Sequence, residues 1–150
     1  MPVTITAESP LTADGRALIE GSQAALREVF APDEIFTFSP EELALPGVSF
    51  LVARDGGTAL GCVAMVDCGA YAEVKRLYIP AQGRGRGLAK ALMADLEARA
   101  KAQGKAQVML ETGDALVPAV ALYRALGYAV RGPFGDYPDH PASLFMEKTL

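Results

Sequence analysis

Arg76-Leu77-Tyr78-Ile79-Pro80-Ala81-Gln82-Gly83-Arg84-Gly85-Arg86-Gly87-Leu88-Ala89 passes from the end of a strand, through a glycine-rich loop, into the start of a helix. Glycines let the backbone turn sharply and let a ligand approach its N–H groups closely. A helix that begins directly behind them adds orphan N–H donors and the positive end of its dipole, an arrangement suited to a pyrophosphate. Arg84 and Arg86 add full positive charge. A loop that only ended a strand would need neither three alternating glycines nor two arginines. Two common nucleotide motifs fail on this stretch. A Walker A loop counted from Gly83 meets Leu88 where its second Gly belongs, and no Lys-Ser or Lys-Thr follows. A Gly-x-Gly-x-x-Gly fingerprint meets Leu88 or Lys90 at its last position.

Upstream of the loop, Val48–Arg54 and Thr58–Cys68 flank Asp55-Gly56-Gly57 and read as a hairpin, with Tyr71–Ile79 as a third strand. The second run is apolar on both faces, as a central buried strand is. Val3–Thr6 reads as a short strand. Ser9-Pro10-Leu11-Thr12 opens a helix that should reach about Phe30, and Ser39-Pro40-Glu41-Glu42 opens a short helix ended by Pro46-Gly47. Downstream, Gly87–Gln103 is a strong amphipathic helix with Leu88, Leu92 and Leu96 on one stripe. Ala106–Leu110 reads as a strand, Pro118–Leu126 as a helix, and Tyr128–Arg131 and Ser143–Lys148 as two last strands. The order predicts an α/β (α+β) fold: a mixed, mostly antiparallel central sheet flanked by helices.

The 150 residues fit one domain, residues 1–150, and a hydrophobic fraction of 51% is enough for a packed core. The net charge of −4 disfavours a nucleic-acid binder. No apolar run approaches the roughly 20 residues of a membrane span, and no signal peptide is seen. Cys62 and Cys68 are too few for a disulfide framework or a zinc site, so the expectation is a cytoplasmic protein with reduced thiols and no metal. Between Lys75 and Lys105 stand eight basic residues and two acidic ones, which suggests an anionic ligand bound at one place.

Gln82, Gly85 and Gly87 form Gln-x-x-Gly-x-Gly, and here the sequence resembles the GNAT superfamily of N-acetyltransferases, a bacterial subgroup of it. Three further stretches in the right order support the resemblance. Ala72–Ile79 is similar to that family's fourth strand and Leu110-Glu111-Thr112-Gly113 to the end of its fifth. Ala119–Tyr128 resembles its last helix and the strand after it. Phe134-Gly135-Asp136-Tyr137 and Ser143–Lys148 resemble the subgroup's tail. The resemblance spans about Glu73 to Lys148.

The resemblance implies acetyl-CoA as cosubstrate. Its pyrophosphate would sit on Gln82, Gly83, Arg84, Gly85, Arg86, Gly87, Leu88 and Ala89. Its pantetheine arm would pair with Leu77, Tyr78 and Ile79 like an added strand, since its two amides can extend a ladder. Tyr123 matches the family's general acid, and a phenol of pKa near 10 can protonate a leaving thiolate. The alternative for Tyr123 is a core aromatic. Glu73 stands where many members place a carboxylate base, working directly or through water, which an amine of pKa near 10 requires. The alternative for Glu73 is an exposed strand carboxylate paired with Lys75 on the same face. Glu111 is the reserve base, and His140 reads as a surface residue. Leu116-Val117-Pro118 replaces the Asn or Gln that members often carry against the pantetheine arm.

The function expected from this resemblance is transfer of an acetyl group from acetyl-CoA to a primary amine by direct attack in a ternary complex. The acceptor would be a small molecule or a peptide amine, with no nucleic acid or membrane as partner, and the family suggests a homodimer. The competing reading is a non-catalytic CoA-sensing or protein-interaction module on the same fold.

Overall fold

The structure is a computed structural model that describes residues 2–150. Seven strands form one sheet in the order β1-β2-β3-β4-β5-β7-β6: β1 (Val3–Ala7), β2 (Val48–Asp55), β3 (Thr58–Asp67), β4 (Tyr71–Tyr78), β5 (Gln107–Thr112), β6 (Ala129–Arg131) and β7 (Leu144–Thr149). Neighbouring strands run antiparallel except β4 and β5, which are parallel. The helices are α1 (Ala13–Arg27), the single turn α2 (Pro40–Leu43), α3 (Leu88–Ala102) and α4 (Val117–Ala125). None of the described helices is long and apolar enough to cross a membrane. The mixed, mostly antiparallel sheet expected from the sequence is present.

Local chemistry explains the helix starts. Thr12 Oγ1 accepts from the Gly15 N–H and begins α1. Ser39 and Glu42 close a reciprocal capping box around α2, with Pro40 in its first turn. The α1 helix ends at Arg27, short of the expected Phe30; the Val29 N–H donates to the Leu26 carbonyl at 3.1 Å, a tighter i→i−3 bond that closes the last turn.

Alternation along the strands sorts the core onto two faces. Leu51 and Ala53 of β2, with Val63 and Met65 of β3, meet Leu88, Leu92, Met93 and Leu96 of α3; Tyr123 of α4 joins the same cluster. Phe50 and Val52, with Cys62 and Ala64, meet Leu18, Ile19 and Leu43 from α1 and α2 on the other face.

Two irregularities in β4 shape the molecule. Ala64 pairs with Lys75 and Cys62 with Tyr78, so Val63 stands opposite both Arg76 and Leu77. This bulge is carried by Arg76, the one non-glycine residue with positive φ (55°) among those described. The extra residue sends Lys75 and Arg76, adjacent in sequence, to the same α1-side face, while Leu77 returns to the α3-side core. Second, β4 and β5 stay paired only from Tyr71↔Gln107 to Val74↔Leu110. Beyond that rung β4 continues to Tyr78 and β5 to Thr112 with no pairing between them. The sheet is split there.

Candidate active site

The glycine-rich loop joins the end of β4 to the start of α3 and packs on β3. Gly85 and Gly87 take left-handed φ values of 78° and 70°, which a β-branched residue resists. Gly87 is the N-cap of α3, and no side chain caps that helix. The first turn closes only when the Ala91 N–H reaches the Gly87 carbonyl, at 3.1 Å. The N–H groups ahead of it are left for a ligand. Gly83 is glycine for a different reason. A Cβ there would lie 2.2 Å from the Leu60 carbonyl oxygen, so the bare backbone lets the loop press on β3.

The arginines are less free than their charge suggests. Arg86 pairs with Asp55 at 2.9 Å, across to the β2–β3 turn. Arg84 is exposed and donates Nε to the Ile79 carbonyl at 3.2 Å, tying the loop to the end of the strand. Tyr78 packs into the α1-side cluster and Leu77 against the α3-side core. Their side chains are occupied with packing, which leaves the backbone edge facing the split as the part of Leu77–Ile79 able to hold a ligand.

The split opens into a cavity of about 120 Å³ between α1, β4, β5 and α4. Tyr123 and Glu111 both line it. Tyr123 is 6% exposed, and its hydroxyl has no protein partner among the described residues. Burial, and then the Glu111 carboxylate, raise its phenol above the ordinary value, so it holds its proton throughout the physiological range. Burial pushes the Glu111 carboxyl up to about 7, against the opposing influence of the Ser143 hydroxyl, which donates to it at 2.9 Å, and of Lys75. A carboxyl that titrates near neutrality is suited to accept a proton from an amine.

Glu73 lines the adjoining space. It is buried, at 7% exposure, where the sequence alternative had an exposed strand carboxylate; its pairing with Lys75 is present at 3.3 Å. Tyr137, from the loop between β6 and β7, donates its hydroxyl to the Glu73 carboxylate, and Lys75 Nζ donates to the same hydroxyl. Lys75 also donates to the Phe36 carbonyl at 3.2 Å. Burial, with Glu73 close by, holds the Tyr137 phenol well above its usual range. The three side chains line a neighbouring open pocket with Phe38 and Tyr71; Tyr123 and Glu111 are not part of it. Lys75 lines both spaces. Tyr123 and Glu111 line one space and Glu73, Lys75 and Tyr137 the adjoining one, and the two groups are close enough that the Glu73 carboxylate helps to raise the Glu111 carboxyl. His140 accepts at Nδ1 from the Ala142 N–H and lines neither space.

Sequence reading passed over three contributors. Tyr137 enters the sequence reading only as part of a tail pattern, and Ser143 only as the start of the last strand within that same pattern. Arg76 lies 9% exposed and lines the cavity, where its Nη1 donates to Ser22 of the same lining, and it also lines a space on its other side with Arg27 and Glu42. Nothing at Arg76 signals a bulge, because neither Gly nor Asn marks the position.

With this geometry established, the chain was compared with known proteins. Residues 16–128 match the family model described as the acetyltransferase (GNAT) family. IAA acetyltransferase of Azospirillum brasilense is 41% identical over 150 residues, covering 99% of this chain and 98% of that one. The uncharacterised N-acetyltransferase YsnE of Bacillus subtilis is 31% identical over 122 residues, 79% of this chain and 81% of its own. Among solved structures, the PaiA N-acetyltransferase of Thermoplasma acidophilum in complex with coenzyme A aligns with a TM-score of 0.78. It covers 100% of both chains at 18% identity, a likeness of fold.

Proposed function

The chain belongs to the acetyltransferase (GNAT) family and is an acetyl-CoA-dependent N-acetyltransferase, and from that premise we propose that it acetylates a primary amine by direct attack in a ternary complex. The observation that carries this reading is the shared cavity: the split between β4 and β5 leads to the place where Tyr123 and Glu111 meet. Acetyl-CoA, the cosubstrate, supplies the activated acetyl group as a thioester. The uncapped start of α3 and the Gly85–Gly87 backbone fit its pyrophosphate, with Gln82, Leu88 and Ala89 in the same loop and helix turn. The free edge of Leu77–Ile79 fits the amides of its pantetheine arm.

In this reading Glu111 takes one proton from the acceptor ammonium, the nitrogen forms the new amide bond as the C–S bond breaks, Tyr123 delivers its proton to the departing thiolate, and the second proton lost from the nitrogen restores the phenol. Glu73 holds Lys75 and Tyr137 and so shapes the wall between the two spaces, a positioning role supported by its buried hydrogen bonds. Residues 1–150 act as one catalytic domain, and the free thiols of Cys62 and Cys68 suit the reducing cytoplasm. The test is a panel of primary amines with acetyl-CoA, read by thiol release and by mass spectrometry of the acetylated product. Acetylated amine is expected. Binding of CoA with no thiol release from any amine would favour a CoA-sensing module instead.

A further inference from the structure

Two cations are buried at the cavity, and only one has a counter-charge. Lys75 has Glu73. Arg76, 9% exposed, makes no ion pair among the described residues. Its guanidinium donates Nε and one Nη2 N–H to the Phe38 carbonyl at 3.2 and 3.1 Å. The other bonds go from Nη2 to Thr37 Oγ1 at 3.1 Å and from Nη1 to Ser22 Oγ at 3.2 Å. All of these acceptors are neutral. The titratable groups beside it are the Cys62 thiol, which burial keeps protonated, and Arg27 and Glu42, whose charges act in opposite directions; the Glu42 carboxylate is engaged with the Ser39 N–H at 3.0 Å. Four bonds use four of the five guanidinium N–H groups, which leaves one on Nη1. Taking a guanidinium out of water is costly unless a charge or ligand compensates it. The backbone that delivers it is itself unfavourable, a left-handed φ of 55° at a non-glycine residue.

Arg76, Ser22 and Thr37 line the same cavity as Glu111 and Tyr123. Its remaining lining is mostly apolar, with Leu26, Phe30 and Leu116 among it; Lys75 and Glu34 are the other charged residues there, and the Glu34 carboxylate accepts from the Ala31 N–H at 2.8 Å. We propose that the acceptor amine also carries a carboxylate, as an amino acid does, and that Arg76 receives that carboxylate while Glu111 faces the amine. The free Nη1 N–H and the rotatable hydroxyls of Ser22 and Thr37 supply the donors, and a charge-assisted bond to a guanidinium is stronger than one between neutral groups. The volume, about 120 Å³, suits a small molecule such as a free amino acid with an apolar side chain. This inference rests on the acetyltransferase reading and adds the acceptor's chemical class to it.

The test uses the unaltered protein with acetyl-CoA and matched acceptors: leucine, methionine and phenylalanine, each beside its amide and its decarboxylated amine. The two analogues bracket the amino acid's amine basicity, so a preference for the acid cannot come from ionisation of the nitrogen. The expected result is a kcat/KM about tenfold or more higher for the acids, carried mainly by KM. Equal or better turnover of the analogues overturns the carboxylate proposal and leaves the acetyltransferase reading standing. Turnover of neither set also overturns it, and only the wider amine panel then decides the acetyltransferase reading. Arg76→Gln should erase the preference by raising KM for the acids alone, with a retained CoA-induced rise in Tm as the check on folding. An Arg76→Gln protein that keeps both that rise and the preference overturns the assignment of the residue.

Discussion

Tyr123 and Glu111 carry the chemistry in this account, and each makes a separable prediction. Tyr123→Phe removes only the hydroxyl, so packing against Tyr128, whose ring centroid lies 5.8 Å away, is retained. CoA should bind as before while kcat falls by about 10²–10⁴-fold, the usual weight of a general acid. A variant with undiminished kcat would make Tyr123 a packing residue. Glu111 must be ionised to accept a proton, and burial lifts its carboxyl to about 7. The rate should therefore fall as pH drops through about 7, and Glu111→Gln should lose both rate and that inflection. Glu73→Gln should behave differently. A residue that holds Lys75 and Tyr137 affects the rate alike at every pH. A loss concentrated at low pH would return the base role to Glu73. The pairing of Glu73 with Lys75 was legible in the sequence, since residues two apart on a strand share a face. Its burial was not, because it depends on Tyr137, which arrives from a loop 64 positions further along the chain.

At the scale of elements, the glycine-rich loop and the helix behind it were the most legible part of the chain, because turn glycines and helix starts are local chemistry. Gly85 marks the prediction here. Its φ of 78° with open space around it means that bulk there meets no core atom. Gly85→Val should leave a folded protein that has lost CoA binding, because a β-branched side chain resists that backbone and obstructs the N–H groups. In the unaltered protein, CoA at about 100 times its Kd should stabilise by roughly 2.7 kcal/mol, read as a higher Tm. A Gly85→Val protein with the same rise would remove the loop from the pyrophosphate site. The bulge in β4 was the least legible element. Its residue is an arginine, no turn signal flanks it, and only the register against β3 reveals it. Without the bulge, alternation would send Arg76 to the α3 side, so its place beside Lys75 is not readable from the strand pattern.

At the scale of the whole molecule, the excess of basic residues from Lys75 to Lys105 is divided among several roles. Arg86 is bound to Asp55, Lys105 to Asp67 and Arg99 to Asp95, so much of that charge is neutralised at the surface and only part of it faces a ligand. Arg76 and Lys75 face the cavity from the same excess. Sequence reading set Arg84 and Arg86 against the anion; Arg86 is engaged with Asp55, and Arg84 is tied through Nε to the Ile79 carbonyl. The central claim is that acetyl passes directly from acetyl-CoA to an amine held in the same cavity. Initial velocities of thiol release, measured over a grid of acetyl-CoA and amine concentrations, test it most directly. The account predicts intersecting double-reciprocal lines and no release without amine. Parallel lines, with an acetyl group found on the protein in the absence of amine and passed on when amine is added, would contradict it.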